Sequence, residues 1–95
     1  MGKPAARLAD LHVCPEKTGH TPHVGGPIEQ GVPTVFIGDK PAATLGSICS
    51  CNGPPDAVAM GSPTVFIGGR PAARMGDMTA HGGQIVVGCP TVLIG

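Results

Sequence analysis

Four histidines and four cysteines give this 95-residue chain its capacity to hold a metal. Their spacing follows an internal repeat. Eight positions on from Ala6, Ala43 and Ala73 lie Cys14, Cys51 and His81, and six positions on lie His12, Cys49 and Thr79. Residues i and i+2 of a strand share a face, so His12 is aligned with Cys14, and Cys49 with Cys51. An insertion in the first copy carries His23-Val24-Gly25-Gly26, which echoes His81-Gly82-Gly83. Each copy thereby aims at least one imidazole or thiol toward one end of a threefold axis, and the first copy aims two. Four such ligands are what a structural zinc takes. No Cys-x-x-Cys pair is present, so the register of the repeat carries the signal, not zinc-finger spacing. His12, His23, Cys51 and His81 are candidates, with Cys14 and Cys49 competing for the places of His12 and Cys51.

The other reactive residue types have plainer readings. His20 stands among Gly19, Thr21 and Pro22 and reads as an exposed loop residue. Cys89 occupies the slot of Val32 and Ser62, which points to a small buried side chain and not a ligand. Asp10 and Asp77 match each other and Ser47, as turn or capping residues do. Arg7 and Arg74 match Thr44, so no task specific to charge is assigned to them. Asp10, Glu16, Glu29, Asp39, Asp56 and Asp77 form no positioned acid–base pair, which disfavours a zinc hydrolase.

The elements that must position these groups recur three times. Pro4-Ala5-Ala6-Arg7, Pro41-Ala42-Ala43-Thr44 and Pro71-Ala72-Ala73-Arg74 are one; Pro33–Gly38, Pro63–Gly68 and Pro90–Gly95 are the other, reading Pro-Thr-Val-Phe/Leu-Ile-Gly. The second is β-branched and aromatic, with proline confined to its first residue, as in a strand. Asp39-Lys40 and Gly69-Arg70 then read as tight hairpin connections. No window has a 3.6-residue period, and prolines and glycines interrupt every longer run. The expectation is an all-β single domain over residues 1–95, built of short strands from three pseudo-threefold repeats. The last strand lacks a following link and the first Pro-Ala-Ala-Arg lacks a preceding strand, so the repeat closes on itself with neighbouring termini.

Composition narrows the function. Lys plus Arg and Asp plus Glu are six each, which argues against a basic nucleic-acid stripe or a polybasic membrane anchor. With 16 Gly, 11 Pro and no Trp or Tyr, the core cannot rely on large aromatics. No apolar h-region follows Met1, and no run approaches the ~20 residues of a membrane-spanning helix. The expected location is cytoplasmic, with any export by a route that uses no signal peptide. There, cysteines are thiols or metal ligands more often than disulfides.

Pro71-Ala72-Ala73-Arg74-Met75-Gly76-Asp77, His81-Gly82-Gly83 and the Gly-x-Pro-Thr-Val-x-Ile-Gly strands resemble the PAAR-repeat family over essentially the whole chain. Ala9, Thr44 and Gly46-Ser47 are small departures from its pattern. The resemblance implies a pointed β-cone that caps the trimeric β-helical spike, the valine-glycine-repeat protein, of a type VI secretion system. Related tips sit on contractile phage tails and extracellular injection particles. It also implies one structural zinc near the apex, held by three His and one Cys, which favours His12, His23 and His81 with Cys51. Expected partners are the spike trimer, non-covalent effector proteins and, transiently, the target membrane; the chain alone is expected to be a monomer. Phe36, Phe66 and Leu93 hold equivalent slots for an apolar docking face, or alternatively point into the cone's own core.

Overall fold

The computed structural model describes residues 2–13, 17–18, 21–22, 25–51 and 56–95, the side chains of Lys17, Thr18, Thr21, Pro22 and Cys51 excepted. Among them the chain is all-β, with no helix. The strands are β1 (Lys3–Ala5), β2 (His12–Val13), β3 (Lys17–Thr18), β4 (Thr21–Pro22), β5 (Gly25–Ile28), β6 (Val32–Ile37) and β7 (Lys40–Ala42). There follow β8 (Ile48–Cys51), β9 (Asp56–Ala57), β10 (Phe66–Ile67), β11 (Arg70–Pro71), β12 (Gln84–Ile85) and β13 (Cys89–Ile94).

Three antiparallel pairs carry the repeat: β6 with β7, β10 with β11, and β13 with β1. In the third, Lys3 pairs with Ile94 and Pro4 with Leu93, so the two ends of the described chain close the repeat as expected. The hairpin turns fall one residue earlier than the sequence suggests. Gly38 and Asp39 have φ of 56° and 67°, and Gly68 and Gly69 have 60° and 80°. A two-residue turn with both central residues at positive φ matches strand twist, and Asp is among the few non-glycine residues that tolerate that region. The strands also differ from expectation. Pro33 and Pro90 are second in β6 and β13, and β10 keeps only Phe66 and Ile67. Ser62 explains the shortening, because its Oγ accepts from the amides of Thr64 and Val65 at 3.1 and 3.0 Å. That local turn competes with the ladder.

The three copies are joined by backbone hydrogen bonds that run in a closed ring. The amide of Ala6 donates to Ala73 O, that of Ala73 to Ala43 O, and that of Ala43 to Ala6 O, at 3.0, 2.9 and 3.0 Å. The amides of Leu8, Leu45 and Met75 close a second ring, of opposite sense, on Pro41 O, Pro71 O and Pro4 O. A side chain larger than a methyl would crowd such a ring, and Ala5, Ala6, Ala42, Ala43, Ala72 and Ala73 are all buried. Beyond it, Ile28, Val58 and Ile85 donate their amides to Asp10 O, Ser47 O and Asp77 O and form a buried apolar layer with Cys49. Burying each large aliphatic side chain contributes roughly 1.5–3 kcal/mol. On the other side, Ile37, Cys89 and Ile94 pack with Val35, Val65, Ile67 and Val92. The principal extents, 38 × 25 × 22 Å, give one long and two similar short axes, as stacked threefold layers do.

Each alanine pair leads into a turn. Arg7–Asp10, Thr44–Ser47 and Arg74–Asp77 place Ala9, Gly46 and Gly76 at φ of 74°, 88° and 93°. In each, the side chain of the last residue accepts from the amide of the first. Asp10 and Asp77 are thus turn residues, as their register predicts. They also pair with arginine: Arg74 Nε and Nη2 donate to Asp77 Oδ2 and Oδ1 at 3.1 and 2.8 Å, and Arg7 grips Asp10 the same way. The arginines therefore have the charge-specific partner that matching them to Thr44 had discounted.

Candidate metal centre

His12, Cys49 and Thr79, the set six residues on from the alanines, are all buried at equivalent places, each paired with a member of the Ile28–Val58–Ile85 layer. Thr79 bridges to Val58, and His12 pairs with Ile85 across β2 and β12. Cys49 directs its thiol to Ser47 O at 3.7 Å and packs with the apolar core. Cys89 is buried in the other cluster, its Sγ 3.2 Å from Thr91 Oγ1.

His12 and His81 meet around a third residue, Asp56. The His12 Nδ1 lies 2.8 Å from Gly26 O, and a carbonyl accepts only, so Nδ1 carries the proton. In the neutral ring Nε2 is then a bare acceptor. It faces Asp56 Oδ2 at 3.3 Å, with both side chains fully buried. Among the described residues the two atoms have no hydrogen-bond partner. The His81 amide donates to Asp56 Oδ1 at 3.0 Å, and its ring Nδ1 is 3.9 Å from Oδ2. Burial pushes the Asp56 carboxyl up. The Thr79 hydroxyl, the amides of Ala57 and His81 and the charge of His81 outweigh it and hold the group below the usual carboxylate range.

Of the predicted ligands, the fold brings His12 and His81 to one carboxylate. Cys51 lies in β8 with its backbone opposite Gly25, but its side chain is outside the described residues, as are His23, Cys14 and His20. Gly25 abuts β2, where a Cβ would collide with the backbone of His12 and Val13. So β5, the strand that follows His23 in sequence, is pressed against the strand that carries His12. Among the described residues alone, no three His, Cys, Asp or Glu side chains complete a metal-holding group.

Asp56 is the residue that sequence reasoning missed. Its equivalents two residues before Ile28 and Ile85 are Gly26 and Gly83. The middle copy lacks a His-x-Gly-Gly segment and has Gly53-Pro54-Pro55-Asp56 in its place, and that substitution was the available signal.

A family model described as the PAAR motif matches residues 18–87. No curated protein matches the chain.

Proposed function

From the premise that this chain belongs to the PAAR-motif family, a structural family of spike-tip proteins in contractile injection systems, we propose how it serves as such a tip. It caps the trimeric β-helical spike of the valine-glycine-repeat type in a type VI secretion system, one chain to three subunits. It closes the blunt trimer end, carries effectors non-covalently and meets the target membrane first. It is made in the cytoplasm and leaves with the machine.

One observation carries the reading. Phe36, Phe66 and Leu93 stand at the same place in three hairpins and are 61, 59 and 60% exposed. Three equal apolar contacts presented by one chain suit a threefold platform and are costly to leave in water. The exposure favours the docking alternative over a core role for these residues. A phage-tail or extracellular injection spike presents the same symmetry and is the second reading.

Zinc belongs to the proposal. His12 and His81 would hold it, with His23 and Cys51 from the segments whose side chains lie outside the described residues. The buried His12 Nε2 and Asp56 Oδ2, 3.3 Å apart and without a partner among the described residues, are two acceptors that fit a cation beside them. Bound there, zinc would fasten the end of the molecule where strands are two to four residues long. A structural site of this kind needs no open position and supports no hydrolytic step.

The test is the mass of the complex. The purified chain mixed with a trimeric spike protein should give, by light scattering, one chain per trimer. Three chains per trimer, or no complex, would overturn the reading. The chain alone should scatter as a monomer.

A further inference from the structure

The pseudo-threefold order breaks in the turn of the middle copy, and this break leaves a cleft. In two copies an arginine fills the groove between neighbouring repeats. Arg74, paired with Asp77, donates Nη1 to Gly95 O at 3.2 Å and Nη2 to Gly61 O at 3.4 Å. Arg7, paired with Asp10, brings Nη1 to 2.8 Å from where a Cβ on Gly38 would stand. Their side chains are only 10 and 14% exposed. The middle copy has Thr44 and Ser47 in their stead, and Thr44 Oγ1 reaches Leu45 O of its own turn at 3.4 Å. Here an open cleft of about 570 Å³ has Thr44 and Ser47 in its wall, with Gly31 and Gly68 beside them. Gly31 and Gly68 hold the positions of Gly61 and Gly95, the residues that accept from Arg74.

The rim is changed in the same copy. Glu29 and Gln30 line the cleft, where the other copies have Ala59-Met60 and Val86-Val87. An acid therefore stands in the repeat that lacks its own guanidinium. Arg70 also lines the cleft, with Nη1 3.1 Å from where a Cβ on Gly46 would stand. Lys40 and Lys3 hold its position in the copies filled by Arg7 and Arg74, so a cation there is compatible with an arginine in the groove.

We propose that this cleft receives an arginine side chain from a cargo protein, whose guanidinium takes the place that Arg7 and Arg74 occupy in their own copies, with Glu29 as its countercharge. A planar fork serves two carbonyls and a carboxylate at once, which a lysine ammonium cannot. The trimeric spike presents three equal subunits and would call for three equal grooves, whereas a cleft in the middle copy, filled by Arg7 and Arg74 in the other two, suits one cargo chain. The identity of the partner as cargo rests on the tip reading above; the arginine site does not, and its test needs no spike.

The full-length chain, labelled for amide NMR, is titrated with N-acetyl-arginine amide and N-acetyl-lysine amide. The arginine compound should give saturable shifts at Gly31, Val32, Thr44 and Gly68, and the lysine compound should bind about tenfold more weakly. Glu29→Gln should weaken the arginine response. The double variant Thr44→Arg with Ser47→Asp rebuilds the internal pair and should abolish it; if that variant does not fold, Glu29→Gln carries the test. No saturable shift at these residues, an equal response to the lysine compound, or an undiminished response in either folded variant would overturn the proposal.

Discussion

At His12, proton placement and burial together set up a demand that no atom of the described residues meets. The ring is fixed by Gly26 O, and its free nitrogen points at a carboxylate oxygen. If zinc fills that gap, His81→Ala should lower metal stoichiometry by elemental analysis and lower the melting temperature, while His20→Ala should change neither. Asp56→Asn should lower zinc affinity, because it removes the buried negative charge that faces His12 Nε2. In the metal-stripped protein Asp56 adds an acid limb: its folded pKa is depressed, so its contribution is present above its unfolded pKa and is lost as pH falls through the folded one. Asp56→Asn should flatten that limb of a stability–pH curve. His12 and His81 could be singled out by their distances from Ala6 and Ala73, six and eight residues, which set Cys49 and Cys51 at the same places in the middle copy. Asp56 was not, since its equivalents are glycines and nothing periodic marks a single acid among them.

The turns are where local sequence decides the most. Ala9 sits at a φ of 74°, a conformation that costs an L-residue roughly 1–2 kcal/mol. Gly76 holds the same place with open space around its α-carbon. Gly76→Ala should therefore cost about 1 kcal/mol and Ala9→Gly should lose none, as read by denaturant midpoints. Side-chain pairing within the turns is a larger effect. Asp77 is fully buried beneath Arg74, and Asp77→Ala strands that guanidinium, at a cost of about 3 kcal/mol or more. Ser47→Ala removes one neutral acceptor and should cost about 1 kcal/mol. The hairpins and their closure could be read from repeated strands and links. The arginine–aspartate pairs could not while Arg7, Thr44 and Arg74 were compared one position at a time. The signal lay in two positions changing together, Thr44 with Ser47.

For the molecule as a whole, the hydrogen-bonded ring of Ala6, Ala43 and Ala73 makes one chain do what three subunits do in a trimer. Its symmetry is used internally, and the trio Phe36, Phe66 and Leu93 is a threefold apolar feature that the chain turns outward. With six cations against six acids, long-range charge does little to steer assembly. The complex should be held by apolar area, on the order of 1,000 Å² or more. Its affinity should then change little with salt, since screening acts on exposed charges. Phe66→Asp tests this cleanly. The ring is 59% exposed, so the variant should keep its fold by circular dichroism. Docking would bury an unpaired carboxylate against the spike, a penalty large enough to abolish assembly. If each copy meets its own subunit of the spike, as proposed, Phe36→Asp and Leu93→Asp should fail in the same way. A variant that docks normally, or wild-type binding that vanishes at moderate salt, would place the interface elsewhere on the molecule.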